Sequence, residues 1–100
     1  MTQFKPGVPL FGLQPDTLWA IDQCNAVYQS LEIDCVVTST TDGKHMDDSR
    51  HYVGYAIDLR IWNIPADKVS IIHSKLKRAL GSNYDVVLES DHFHVEFDPK

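Results

Sequence analysis

The stretch Ser49-Arg50-His51-Tyr52-Val53-Gly54-Tyr55-Ala56-Ile57-Asp58-Leu59-Arg60-Ile61-Trp62 decides how the rest of the chain is read. From Gly54 onward it alternates: Tyr55, Ile57, Leu59 and Ile61 fall on one side, Gly54, Ala56, Asp58 and Arg60 on the other. A period of two is that of a strand. The bulky set needs a core, which turns Asp58 onto the opposite face, and the small Gly54 and Ala56 predict room above the strand there. Just before it, residues 39–52 are polar, with Gly43, Asp47 and Asp48, and read as a loop longer than a compact domain carries without a functional reason.

Working outward, residues 84–89 and 92–97 read as two strands of a hairpin around a tight polar connection. In the last strand His92, His94 and Glu96 share one face, and Phe93, Val95 and Phe97 the other. The phenylalanine face belongs to the core, so the histidine face points outward, as Asp58 does on its own strand. Upstream, Pro6, Gly7, Pro9 and Gly12 mark residues 1–14 as an extended N-terminal arm. Asp16 or Thr17 is placed to cap a helix after Pro15, and Leu18, Ile21, Cys24, Val27, Tyr28 and Leu31 keep helical spacing. The β-branched run at residues 33–38 reads as a strand. A second helix follows Pro65, with Val69, Ile72, Leu76, Ala79 and Leu80 inward and Gly81 closing it. This order predicts one α+β domain over residues 1–100, with a small, mainly antiparallel sheet covered by helices on one face. The other face is then free for a site.

Composition narrows the function classes. A net charge of −5 disfavours a nucleic-acid groove, which needs a concentrated basic face. No apolar run approaches the roughly 20 residues that span a bilayer, so no membrane segment is expected. The first residues lack the basic start and apolar centre of a signal peptide, which suggests cytoplasmic synthesis without a secretory route. Cys24 and Cys35 match no metal spacing and read as buried thiols, with a helix-to-strand disulfide as the alternative. His45 and His73 read as ordinary surface histidines. Arg60 and Trp62, just past Asp58, read as structural, with Arg60 pairing a neighbouring acid.

The residues left over are His51, Asp58, His92, His94 and Asp91. Imidazoles with a carboxylate suit zinc better than calcium or magnesium, which prefer all-oxygen sets. A hydrolytic zinc site needs three protein ligands, an open position for water and a base for that water's proton. Spacing alone does not choose between His92 and His94.

The spaced pattern Ser49-x-His51-x-x-Gly54-x-Ala56-x-Asp58, followed by Asp91-x-x-His94, resembles the zinc D-alanyl-D-alanine peptidase family over residues 36–97. That family includes cell-wall carboxypeptidases, vancomycin-resistance dipeptidases and phage L-alanyl-D-glutamate endolysins, and it shares its fold with the hedgehog signalling domain. The resemblance implies a hedgehog/DD-peptidase-like fold and one Zn2+ per chain, held by His51, Asp58 and His94. It also implies Asp91 as general base, with Glu89 as the alternative, and His92 as a group that donates to the substrate carbonyl or orients the water. Family members carry an arginine after the strand that precedes the histidine loop. Here that stretch is Val37-Thr38-Ser39-Thr40-Thr41-Asp42-Gly43-Lys44-His45, which leaves Lys44, His45 or Arg50 to take its place. Ser49 would support the loop or a ligand, so His45, Ser49 and Arg50 are the substrate-binding candidates. The implied partner is a peptidoglycan stem peptide. The implied protein is a monomeric phage or bacterial lytic enzyme that acts on the wall after release or from a virion. A non-catalytic zinc-binding domain is the alternative that hedgehog suggests.

Overall fold

A computed structural model describes residues 2–41 and 54–99. The expected loop therefore lies mostly outside the described residues, and with it His45, Ser49, Arg50 and His51.

The elements are β1 (Thr2–Phe4), α1 (Pro15–Ser30), β2 (Cys35–Ser39), β3 (Ala56–Arg60), α2 (Val69–Leu80), β4 (Tyr84–Leu88) and β5 (His92–Phe97). They form an α+β domain whose five-stranded sheet runs in the order β1-β2-β3-β5-β4. The sheet is mixed. β2, β3, β5 and β4 pair antiparallel, while β1 pairs parallel with β2. The opening of the expected arm is thus an edge strand, and the Lys5 N–H continues the pairing onto the Val37 carbonyl at 2.9 Å. Three residues are too few to carry a readable alternation.

Pro15 starts α1 because its fixed φ suits the first helical position and its missing N–H is one the helix would not have used. Neither Asp16 nor Thr17 caps this helix, whose N-cap is Gln14. Thr17 is buried instead, and its hydroxyl donates to the Gly54 carbonyl at 2.7 Å. The Gln14 N–H donates to the same oxygen at 3.1 Å, so the start of α1 is fastened to the residue that leads into β3. Ala20, Ile21, Cys24 and Tyr28 form the buried stripe, whereas Leu18, expected inward, is half exposed. A 3-10 turn, Ala66–Lys68, leads into α2, where Ile72, Leu76 and Leu80 are buried. Ala79, expected inward, faces solvent. Gly81 ends the helix at φ 84, the left-handed conformation in which glycine costs least.

Both helices cover one face of the sheet. Cys35, Val37, Ile57, Leu59, Val86, Phe93 and Val95 from the strands join Ala20, Ile21, Cys24, Tyr28, Ile72, Leu76 and Leu80 in a single buried cluster. Each large side chain there contributes roughly 1.5–3 kcal/mol by leaving water. Cys24 and Cys35 are free and buried, and burial raises both thiols, Cys35 to about 12. His73 is half-buried, donating from Nε2 to the Val86 carbonyl at 2.8 Å and packing its ring against Phe93.

Gly54 is small for a different reason from the one the sequence suggested. It is buried, as Ala56 is, and a Cβ on it would collide with the Gly12 carbonyl oxygen. The space belongs to the backbone of the N-terminal arm. Among the described residues no helix is long and apolar enough to cross a membrane.

Candidate metal centre

The register of the central strands builds the site. β3 and β5 pair Ala56 with Glu96, Asp58 with His94 and Arg60 with His92. Because Ile57, Leu59, Phe93 and Val95 all go to the core, these partners all stand on the face away from the helices, where Ala56 alone is fully buried. β2 meets β3 through a break in register, with Val37 opposite Leu59 but Ser39 opposite Asp58. Such irregularities re-aim side chains beside functional sites.

On that face Asp58 Oδ1 lies 3.2 Å from His94 Nδ1 and 3.5 Å from His92 Nε2. Behind each imidazole stands a carboxylate: Glu96 Oε1 is 3.1 Å from His94 Nε2, and Asp91 Oδ1 is 2.6 Å from His92 Nδ1. His94 responds electrostatically. The hydrogen bond to Asp58 raises its pKa, burial pulls it back, and Glu96 adds to the rise, leaving it at about 8.

Asp58 and an imidazole are donor types that a zinc site would use. Two ligands on a tetrahedral ion at bonds of about 2.0–2.1 Å stand roughly 3.3 Å apart, and the Asp58–His94 separation of 3.2 Å, a hydrogen bond in the metal-free chain, is close to that edge. A carboxylate on the far ring nitrogen is the arrangement that orients metal-bound histidines. Among the described residues, donor atoms of Asp58, His92 and His94 do not gather within 4.8 Å of one another, so only one of the two imidazoles joins Asp58 around a single ion. His94 is the one directly opposite Asp58, the closer and the more buried of the two. A third ligand must come from elsewhere; His51, expected in that role, lies outside the described residues.

Asp91 stands in the turn. The Glu89 N–H donates to the His92 carbonyl at 2.8 Å, closing a hairpin over Ser90 and Asp91. The Asp91 side chain is 82% exposed and leans onto His92. Glu89 is exposed. Asp58, Asp91 and His92 line a hollow of about 370 Å³ together with Lys5, Thr38, Arg60 and Trp62.

Glu96 is the residue that sequence reasoning underused: alternation placed it beside His94, but its hold on the imidazole needed the side-chain geometry. It also approaches Asp85 and Asp98, their carboxylate oxygens lying within 4.8 Å of one another. That all-oxygen cluster differs in kind from the nitrogen-and-oxygen set at Asp58, and acids gather at surfaces without binding an ion. Compared with known proteins, the chain matches no protein-family model and no curated protein, which leaves the Asp58–His94 geometry as the ground for a functional reading.

Proposed function

We propose that this protein is a zinc peptidase of the hedgehog/DD-peptidase fold that hydrolyses a peptide bond in bacterial peptidoglycan stem peptides, as a phage or bacterial lytic enzyme. The observation that carries the reading is the cross-strand Asp58–His94 pair, at ligand-edge distance and with Glu96 behind the imidazole. Asp58, His94 and, by resemblance, His51 would hold the ion. Zinc in such a site lowers the pKa of a bound water to about 7 and polarises the scissile carbonyl.

The remaining roles belong to the chain's own groups. Asp91 takes the proton of the attacking water and passes it to the leaving amine. Its Oδ1 receives the His92 Nδ1–H, which fixes the ring and leaves the second carboxylate oxygen to act as base. His92 lines the same hollow, and a ring N–H there would donate to the carbonyl oxygen as negative charge develops on it.

Digestion of purified peptidoglycan, with mass analysis of the released fragments, tests this. Wild type is expected to cut either the D-Ala–D-Ala or the L-Ala–D-Glu bond, and Asp91→Ala to release nothing above background. Zinc binding without any released fragment would reject the peptidase and leave the non-catalytic zinc domain.

A further inference from the structure

We infer that Arg60 is a specificity-determining residue that binds a free carboxylate of the substrate in the hollow beside the candidate metal centre; this rests on the peptidase reading. Arg60 follows Asp58 by two residues on the same face of β3, roughly 6.6 Å further along at strand rise. Both line the hollow of about 370 Å³. The expectation that Arg60 pairs with an acid does not hold: among the described residues neither Arg60 nor Lys5, the other cation lining the hollow, makes an ion pair.

The Arg60 side chain is held ready rather than loose. Its guanidinium stacks 4.4 Å over the Trp62 ring, and the Tyr28 hydroxyl donates to its backbone carbonyl at 3.3 Å. Stacking fixes the plane of the guanidinium and leaves its donor edge to face an acceptor, the geometry that takes a carboxylate two-pronged. The Nε donor is buried and has no hydrogen-bond partner. Protein atoms cover that nitrogen, so a carboxylate entering from the hollow would be taken by the two terminal guanidinium nitrogens. Asp58 and Asp91 oppose a further negative charge, but each already has an imidazole partner, and Lys5 offsets part of what remains.

The substrate chemistry agrees. A D-Ala–D-Ala terminus carries a free carboxylate one residue past its scissile bond, and so does the γ-linked D-glutamate of L-Ala–D-Glu, through its α-carboxylate. Arg60 would select for that shared group whichever bond is cut.

Calorimetric titration of zinc-loaded Asp91→Asn protein, used to prevent turnover, distinguishes the cases. The probes are N-acetyl-D-alanyl-D-alanine and N-acetyl-L-alanyl-D-glutamate blocked as its γ-amide, each with the remaining carboxyl as free acid and as its amide. At least one acid is expected to bind on the order of tenfold to a hundredfold more tightly than its amide. Which acid shows the preference identifies the source of the carboxylate. Adding Arg60→Gln should bring the acid down to its amide, with zinc content unchanged. Arg60→Lys, which keeps charge without the fork, should retain part of the preference and serves as the readout if the glutamine variant fails to fold. Equal binding of acid and amide, an undiminished preference in both Arg60 variants, or no binding of any of these peptides would overturn the inference. Acid preference that depends on Arg60 in a protein that cuts no peptidoglycan would instead sustain the site and reject the peptidase.

Discussion

Asp58 is the residue on which the local chemistry turns, because two imidazoles reach the same carboxylate oxygen from one strand. In metal-free protein it holds His94 protonated, with a pKa raised from 6.5 to about 8. The sign follows: a histidine raised on folding contributes stability that is fully present below its ordinary pKa and is lost as pH rises through the raised one. Chelated wild type should therefore lose melting temperature between about pH 6.5 and 8, and His94→Gln should flatten that slope. Carbon-bound ring protons followed by NMR should place the His94 midpoint near 8; a midpoint below 6.5 would contradict the Asp58 contact. Asp91 separates chemistry from binding. Asp91→Asn should keep zinc and fold yet lose on the order of 10²–10⁴ in turnover, since an amide accepts no proton from water. Retained turnover in that variant, with loss in Glu89→Gln, would move the base to Glu89.

At the scale of elements, the site depends on how β3 is entered. Gly54 sits at φ 82 with its α-carbon against the Gly12–Leu13 backbone, while its carbonyl receives both Thr17 and Gln14 at the head of α1. Gly54→Ala has to displace backbone and adopt a disfavoured conformation, so it should cost at least about 1–3 kcal/mol, read as a shift in the urea midpoint. An unchanged midpoint would mean the arm does not cross there. The alternation of β3 and β5 was legible in the sequence because each strand has one face of uninterrupted bulk: Ile57 with Leu59, and Phe93 with Val95, leave only one way to orient Asp58 and His94. The close approach at Gly54 was not legible, since glycine beside alanine looks the same whether it makes room for a ligand or for another stretch of backbone. Thr17 failed as a cap for a related reason, its hydroxyl having found a stronger tertiary acceptor. β1 was invisible because its pairing comes entirely from its neighbour.

Across the whole molecule, the candidate centre ties together strands that are distant in sequence, and the helices of the described residues cover the far side of the sheet. Metal that binds the folded chain and not the unfolded one stabilises by mass action, so chelation should lower the melting temperature, and zinc added back should restore it. A melt indifferent to chelation would count against a site built across β3 and β5. The resemblance supplied His51 and the role of Asp91, which no strand pattern contains, whereas the pairing of Asp58 with His94 follows from register alone. That pairing is the central claim, and zinc analysis of purified variants tests it most directly. Wild type and His92→Ala should each carry one zinc per chain, and Asp58→Ala and His94→Ala should carry almost none. Zinc retained in His94→Ala and lost in His92→Ala would contradict it.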